Sequence, residues 1–137
     1  DVGNVATYTD KTAVSGTKYT YTVRCIGSDG SYKSAYDTTG ITVTYIAAPV
    51  LKSVTGTSTG VTVTWTKSKG ATNYRVFRKE GTGSWKKMAD VGNVATYTDK
   101  TAVSGTKYTY TVRCISTDGK TYMSAYDTTG KTITYKK

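Results

Sequence analysis

The residue types that most often carry catalysis are scarce in this chain. There is no histidine among the 137 residues, and this excludes histidine-based triads and histidine-ligated metal sites. The acids are Glu80 and eight aspartates, and none has a second carboxylate at a spacing typical of glycosidases. Asp29 and Asp118 fall in predicted hairpin turns, where aspartate is common for backbone reasons. We therefore predict no catalytic residues, so that any enzyme activity would need residues from outside this chain.

Metal and cofactor sites are also not expected. The Asp-Gly turns lack the run of oxygen ligands that calcium requires. The glycine-bearing segments 56–60 and 80–84 connect strands, whereas a phosphate loop opens a helix. Cys25 and Cys114 occupy the same position in two copies of a repeat, so they cannot pair within one module. We interpret them as small buried hydrophobes; a reactive or metal-binding thiol is the alternative.

The composition predicts an all-β protein. Threonine occurs thirty times, tyrosine thirteen times and leucine once; threonine and tyrosine suit a pleated, half-buried surface, and strong helix formers are nearly absent. The formal net charge is +10, which favours association with polyanions such as nucleic acids, anionic cell-wall polymers or sulfated glycans. Because the lysines are spread along the chain, we expect no specific nucleic-acid site. No apolar run is long enough for membrane insertion.

A long internal repeat organises the chain. Residues 1–26 return unchanged at residues 90–115, and the motif SAYDTTG also occurs twice. A period of about 90 residues is the size of a small β-sandwich domain repeated in tandem. We divide the chain into residues 1–46, the C-terminal half of one module with its last three strands, and residues 47–137, a complete module. The chain is accordingly interpreted as part of a longer protein.

Period-two alternation predicts the strands of the complete module. In VTVTWT, the side chains of Val61, Val63 and Trp65 point to one face and the threonines to the other. An Asp-Gly hairpin turn at 117–120 leads to the last strand. The side chains predicted to face the core are Trp65, Tyr74, Val76, Tyr97, Tyr108, Tyr110, Val112 and Cys114.

Aromatic and valine positions follow one another in a fixed order along the complete module. They are Trp65 on the second strand, Tyr74-x-Val76 on the third, Trp85 after a glycine turn, and Tyr108-x-Tyr110-x-Val112 on the long strand. This order resembles fibronectin type III modules, most of all the copies in large bacterial secreted and surface proteins. The resemblance implies a seven-stranded antiparallel Greek-key β-sandwich, fibronectin type III or immunoglobulin-like, with Tyr108 as its tyrosine-corner residue. It also implies an extracellular or cell-surface location.

The preceding half module raises a problem of burial. With only three strands it would leave inward side chains without a facing sheet, which destabilises it by about 1.5–3 kcal/mol for each large apolar side chain left in water. We expect the missing strands to lie outside this piece of chain or to come from a neighbouring chain. The change of Ile41 in the first copy to Lys131 in the second suggests that Ile41 contacts the following module.

The predicted outer face of the larger sheet is the candidate binding surface. Arg75, Phe77 and Lys79 point outward from one strand. Arg113, flanked by Thr109 and Thr111, points outward from its neighbour, and Trp85 lies near the sheet edge. Arginine beside an aromatic residue is typical of protein interfaces. The alternative is an ordinary solvated face, on which Trp85 and lysine stems cover Phe77.

Three functions are compatible with these patterns. The first is a non-catalytic spacer or display stalk, since near-identical repeats suit a part reused for length, with neighbouring modules of the same protein as partners. The second is an adhesive repeat that binds a host or surface protein or glycan, such as immunoglobulin, matrix protein or mucin, through the outer face or a sheet edge; identical copies favour multivalent capture. The third is polyanion binding, which predicts steep salt dependence.

Overall fold

The computed structural model describes all 137 residues, and its regular elements are all strands. The ten strands are β1 (Thr17–Tyr21), β2 (Ile41–Tyr45), β3 (Val50–Thr57), β4 (Gly60–Thr66), β5 (Asn73–Glu80), β6 (Lys86–Val91), β7 (Thr96–Asp99), β8 (Lys107–Ile115), β9 (Tyr122–Tyr126) and β10 (Lys131–Thr134). The expectation of an all-β chain is confirmed. No helix of the length and apolar character needed to cross a membrane occurs.

The complete module is a sandwich of two antiparallel sheets. One sheet has the order β3-β4-β7, and the other has the order β10-β8-β5-β6, with β9 also pairing with β8. Because alternate residues of a strand point to opposite faces, one face of β4, β5 and β8 supplies the core between the sheets. The predicted core side chains at 2% exposure or less are Trp65, Tyr74, Val76, Tyr108, Tyr110, Val112 and Cys114. Tyr97 is half-buried and packs against this cluster.

The last strand of the sandwich is interrupted. Its two parts, β9 and β10, both pair with β8, so the seven predicted strands appear as eight segments. The Asp127 carboxylate accepts hydrogen bonds from the backbone N–H groups of Thr129 and Gly130, and Gly130 has a φ of +68°, a conformation that glycine adopts without steric penalty. This bend separates β9 from β10.

The half module forms fewer strands than the sequence predicts. Of the three strands expected in residues 1–46, two form, and β1 and β2 pair with each other alone. The third was expected at ATYTD, residues 6–10, but no strand is present there. In the complete module the equivalent strand β7 pairs only with β4, and residues 1–46 contain no counterpart of β4. Cys25, interpreted from the sequence as buried, is exposed for the same reason, whereas Cys114 is buried.

The two parts of the chain meet at an ordered joint. Ile46, directly after β2, is 4% exposed and belongs to the core cluster of the complete module. The Ser15 hydroxyl donates to the Lys69 carbonyl oxygen at 2.8 Å and accepts from the Ala47 backbone N–H at 3.0 Å. Ile41, the residue expected to contact the next module, is instead 77% exposed. The difference between the copies that indicates contact with the next module is therefore at Ile46, whose counterpart in the second copy is Lys136.

Candidate binding face

The register of β5 and β8 places the predicted binding residues on one face. Arg75 lies opposite Arg113, and Lys79 lies opposite Thr109. Phe77 lies opposite Thr111, and all three pairs share the outer face because they are spaced by two residues. The structure therefore brings the nominated residues together on the outside of the larger sheet.

Five side chains on this face line a small cleft of about 120 Å³. We call it the aromatic cleft, and it consists of Phe77, Trp85, Arg113, Tyr122 and Tyr126. The two tyrosines were not nominated from the sequence. Their recurrence in the first copy gave no signal, because almost the whole repeat recurs.

Two like charges lie side by side on this face. Arg75 and Arg113 are directly opposed, an arrangement that destabilises a sheet unless it is compensated. The Asp90 carboxylate provides the compensation, since it accepts two hydrogen bonds from Arg75, at 2.6 and 2.8 Å. This guanidinium, together with the Lys87 ammonium, lowers the pKa of Asp90 to about 2. The Tyr122 ring lies beside both arginines, with centroid distances of 5.6 Å to Arg75 and 4.0 Å to Arg113.

The rings of the aromatic cleft are held by neighbouring groups. The Lys79 ammonium lies 4.8 Å from the centre of the Trp85 ring. Trp85 meets Tyr126 edge to face at 6.5 Å, and Phe77 meets Tyr122 at the same centroid distance. Phe77 and Trp85 are both half-buried. The cleft is thus already formed and still exposes apolar surface. Its exposure is intermediate between the two alternatives, an open interface and a fully covered face.

Three details of the predicted face differ in the structure. Trp85 lies just before β6, not on a strand. Thr109 and Thr111, expected to point into solvent, are 5% and 0% exposed. The Thr111 hydroxyl donates to the Asp127 carbonyl oxygen, and the edge of the Trp85 ring lies next to Gly130, beside Thr109. The bend between β9 and β10 therefore covers the outer face at these threonines.

A buried carboxylate on the opposite, inner face was not singled out in the sequence as a charged site. Asp99 is fully buried and forms an ion pair with Arg78 at 2.6 Å. Its oxygens also accept hydrogen bonds from the Tyr110 hydroxyl and from the backbone and hydroxyl of Thr101. Burial acts to raise the pKa of Asp99, but the hydrogen bonds from Thr101, Tyr110 and Arg78 outweigh it and hold this pKa below its usual value. With its hydrogen bonds satisfied, this cluster stabilises the sandwich.

Residues that would bind a metal are not clustered. No group of three or more histidine, cysteine or acidic side chains lies together. The two cysteines are both free thiols. The tyrosine corner implied by the resemblance is present, since the Val103 backbone N–H donates to the Tyr108 hydroxyl oxygen at 3.2 Å.

The family comparison concerns the complete module. The family model for the fibronectin type III domain of the SaeA third-domain type matches residues 52–131. Among solved structures, a β-1,2-glucanase from Parabacteroides distasonis superposes with a TM-score of 0.59 at 20% identity. The match covers 69% of this chain but only 13% of the glucanase, so it shows a shared fold alone.

A second solved structure is an Fn3-like protein from Clostridium thermocellum. It is 27% identical, with a TM-score of 0.44, over 61% of this chain and 88% of that protein. A search of curated proteins found no match. The family model covers more than half of the 137 residues, and the sandwich, the aromatic core and the tyrosine corner agree with it. The chain belongs to the fibronectin type III domain family.

Proposed function

We propose that this chain is a spacer segment of a bacterial secreted or cell-surface protein, in which non-catalytic fibronectin type III modules follow one another at a fixed angle. The observation that carries the proposal is the joint, where Ile46 is almost fully buried in the core cluster of the next module. A flexible linker would leave such a side chain in water, whereas a side chain buried in the next module restricts the relative motion of the two parts, which is otherwise the default for neighbouring domains.

Polar contacts at the joint support the same conclusion. One hydroxyl, that of Ser15, connects the loop before β1 to both the linker and the loop before β5. The backbones also approach closely, because a Cβ added to Gly70 would lie 2.7 Å from the Cα of Gly16. A larger residue at either glycine would push the two parts of the chain apart.

The spacer proposal is tested by the rotational motion of the two parts. We expect nuclear magnetic resonance relaxation to give one rotational correlation time for residues 17–45 and 50–134 in the unmodified chain. Ile46→Lys, which introduces the residue of the second copy, should separate the two correlation times without unfolding the complete module. Ile41→Lys is the matched control, since Ile41 is exposed. Independent tumbling of the two parts in the unmodified chain would contradict the proposal.

The aromatic cleft favours a second function, that of an adhesive repeat. Half-buried aromatic rings beside arginine have the composition of a binding hot spot, and repeated copies would add their weak affinities. The ligand would be a host or surface protein or glycan. The test is binding of the chain to purified immunoglobulin, matrix protein and mucin at high salt. Phe77→Ala should abolish retention, and Val103→Ala, which shortens an exposed side chain outside the cleft, should not.

A further inference from the structure

The aromatic cleft on the outer face of the complete module combines ring surfaces with unpaired positive charge. Arg113 lines the cleft, and the Lys79 ammonium lies on the Trp85 ring. Neither of these two bases forms an ion pair, whereas the neighbouring Arg75 is neutralised by Asp90. Since the whole chain also carries a net charge of +10, the cleft is electrostatically complementary to an anionic ligand.

The Arg113 guanidinium is held in place while its terminal donors stay free. Its Nε donates to the Ser124 carbonyl oxygen, which is its only hydrogen bond within the protein. The guanidinium carbon lies 4.0 Å from the centre of the Tyr122 ring and 5.4 Å from that of Tyr126. Arg24 makes the equivalent contacts in the first copy, so the local segment sets this geometry. A guanidinium fixed in this way is preorganised to bind a carboxylate through two parallel hydrogen bonds.

Two further polar groups border the ring surfaces. The indole N–H of Trp85 and the hydroxyl of Tyr126 form no hydrogen bond within the protein. They are nevertheless not among the buried unpaired polar groups, which belong to Trp65 and Ser68, so both are accessible from solvent. Aromatic surface with a few accessible polar groups is typical of a site for a small ligand. The volume of about 120 Å³ admits one ring of such a ligand but not a helix, whose diameter is about 10 Å.

The position of the cleft over interior strands argues against a peptide that binds through its main chain. β5 pairs with both β6 and β8, and β8 pairs with β5, β9 and β10. The backbone groups beneath the cleft are therefore used within the sheet, and a peptide cannot add a strand there. The ligand must be recognised by side chains alone, through an apolar ring face, polar groups at the ring edge and negative charge.

We propose, resting on the adhesive function, that the aromatic cleft binds a carboxylate-bearing sugar ring of an acidic polysaccharide. A pyranose ring has an apolar C–H face that packs against the aromatic rings, and hydroxyl groups at its edge that accept a hydrogen bond from the Trp85 indole N–H. Its carboxylate pairs with Arg113, and a carboxylate on another ring of the same polysaccharide lies near Lys79. Modules repeated in tandem would bind successive stretches of one polysaccharide.

The test measures binding of the full chain to short oligosaccharides by calorimetry at about 0.15 M salt. We expect saturable binding of at least one of two probes, a galacturonic acid hexamer and a hyaluronan hexamer. Methyl esterification of that hexamer removes its charge but keeps its rings, and it should weaken binding about tenfold or more. Hexaglutamate carries carboxylates without the rings and should show no saturable binding.

Variants of the chain provide a second measurement. Arg113→Gln should weaken binding about tenfold. Lys100→Gln removes the same charge at an exposed position outside the cleft and should leave binding unchanged. Trp85→Ala should also weaken binding, which attraction between opposite charges alone does not predict. Circular dichroism checks that each variant is folded.

Absence of saturable binding to both hexamers would overturn the proposal. So would equal affinity for hexaglutamate, which would indicate charge alone or an acidic peptide as the ligand, or equal effects of Arg113→Gln and Lys100→Gln. If the chain is retained on immunoglobulin, matrix protein or mucin through Phe77 but binds neither hexamer, the adhesive function stands and the acidic polysaccharide is the wrong ligand. If neither experiment detects binding, the adhesive function is wrong as well.

Discussion

The two copies of the repeat place the same side chains in two surroundings, one with a facing sheet and one without. The tyrosine corner and the turn around the aspartate form in both copies, because their partners lie within a few residues of each other. The strands do not form equally, since β8 has nine residues and β1 has five. Side-chain hydrogen bonds within a turn are thus encoded locally, whereas strand length depends on neighbouring strands.

The first experiment removes the charge of the equivalent carboxylates, Asp99 and Asp10, in separate variants. Asp99→Asn should destabilise the complete module by about 3 kcal/mol, because it leaves Arg78 without its charged partner in the core. Asp10→Asn should change the same unfolding transition by less than about 0.5 kcal/mol. Urea denaturation followed by tryptophan fluorescence measures both. Equal losses for the two variants would mean that the half module unfolds together with the complete one.

The second pair shortens one valine in each copy. Val112→Ala should cost about 2 kcal/mol, since it removes buried methyl groups and leaves a cavity. Val23→Ala, at the same repeat position but in solvent, should be neutral in the same denaturation experiment. A clear loss of stability for Val23→Ala would show that the Val23 side chain is covered in solution.

The third experiment uses acid. A carboxylate with a lowered pKa stabilises the folded state above the pKa that it has in the unfolded chain, and this contribution is lost as the pH falls towards the pKa of the folded state. For Asp90, whose pKa is lowered from 3.8 to about 2, stability should fall between about pH 4 and pH 2. Arg75→Gln should flatten this part of the curve, and Arg24→Gln in the first copy should leave it unchanged.

The smallest expected effect concerns the tyrosine corners. Tyr108→Phe removes the acceptor for the Val103 backbone N–H and should cost about 1 kcal/mol. Tyr19→Phe removes the equivalent bond to Val14 but should not move the unfolding of the complete module. Thermal denaturation by circular dichroism provides the measurement. If Tyr108→Phe left the thermal stability unchanged, the tyrosine corner would hold the local backbone geometry without stabilising the module.

Much of the fold could be predicted, because alternation along VTVTWT and YTYTVRC depends only on which side chains avoid water. The outer face was harder to predict, since alternation shows to which face a side chain points but not whether another part of the chain covers it. Thr111 points outward as expected, yet the bend after β9 buries it. Tyr122 and Tyr126 reach the aromatic cleft through a register shift between β8 and β9, and a bulge of this kind has no simple sequence pattern.

The half module was harder still to predict, and the reason lies in long-range pairing. The sequence at Thr7–Asp10 is identical to that of β7, so no local signal could distinguish a strand from an unpaired segment. Ile46 could have been found by comparing the ends of the copies, where it aligns with Lys136. Exchange of an apolar residue for a charged one at the end of a module indicates that the two copies have different neighbours at that end.

The two cysteines differ in burial, so thiol chemistry can measure the difference between the copies. Cys25 is exposed and Cys114 is buried, so a thiol reagent should modify the first directly and the second only when the sandwich opens. Because both thiols sit in the same local sequence, their labelling rates differ through burial and not through neighbouring residues.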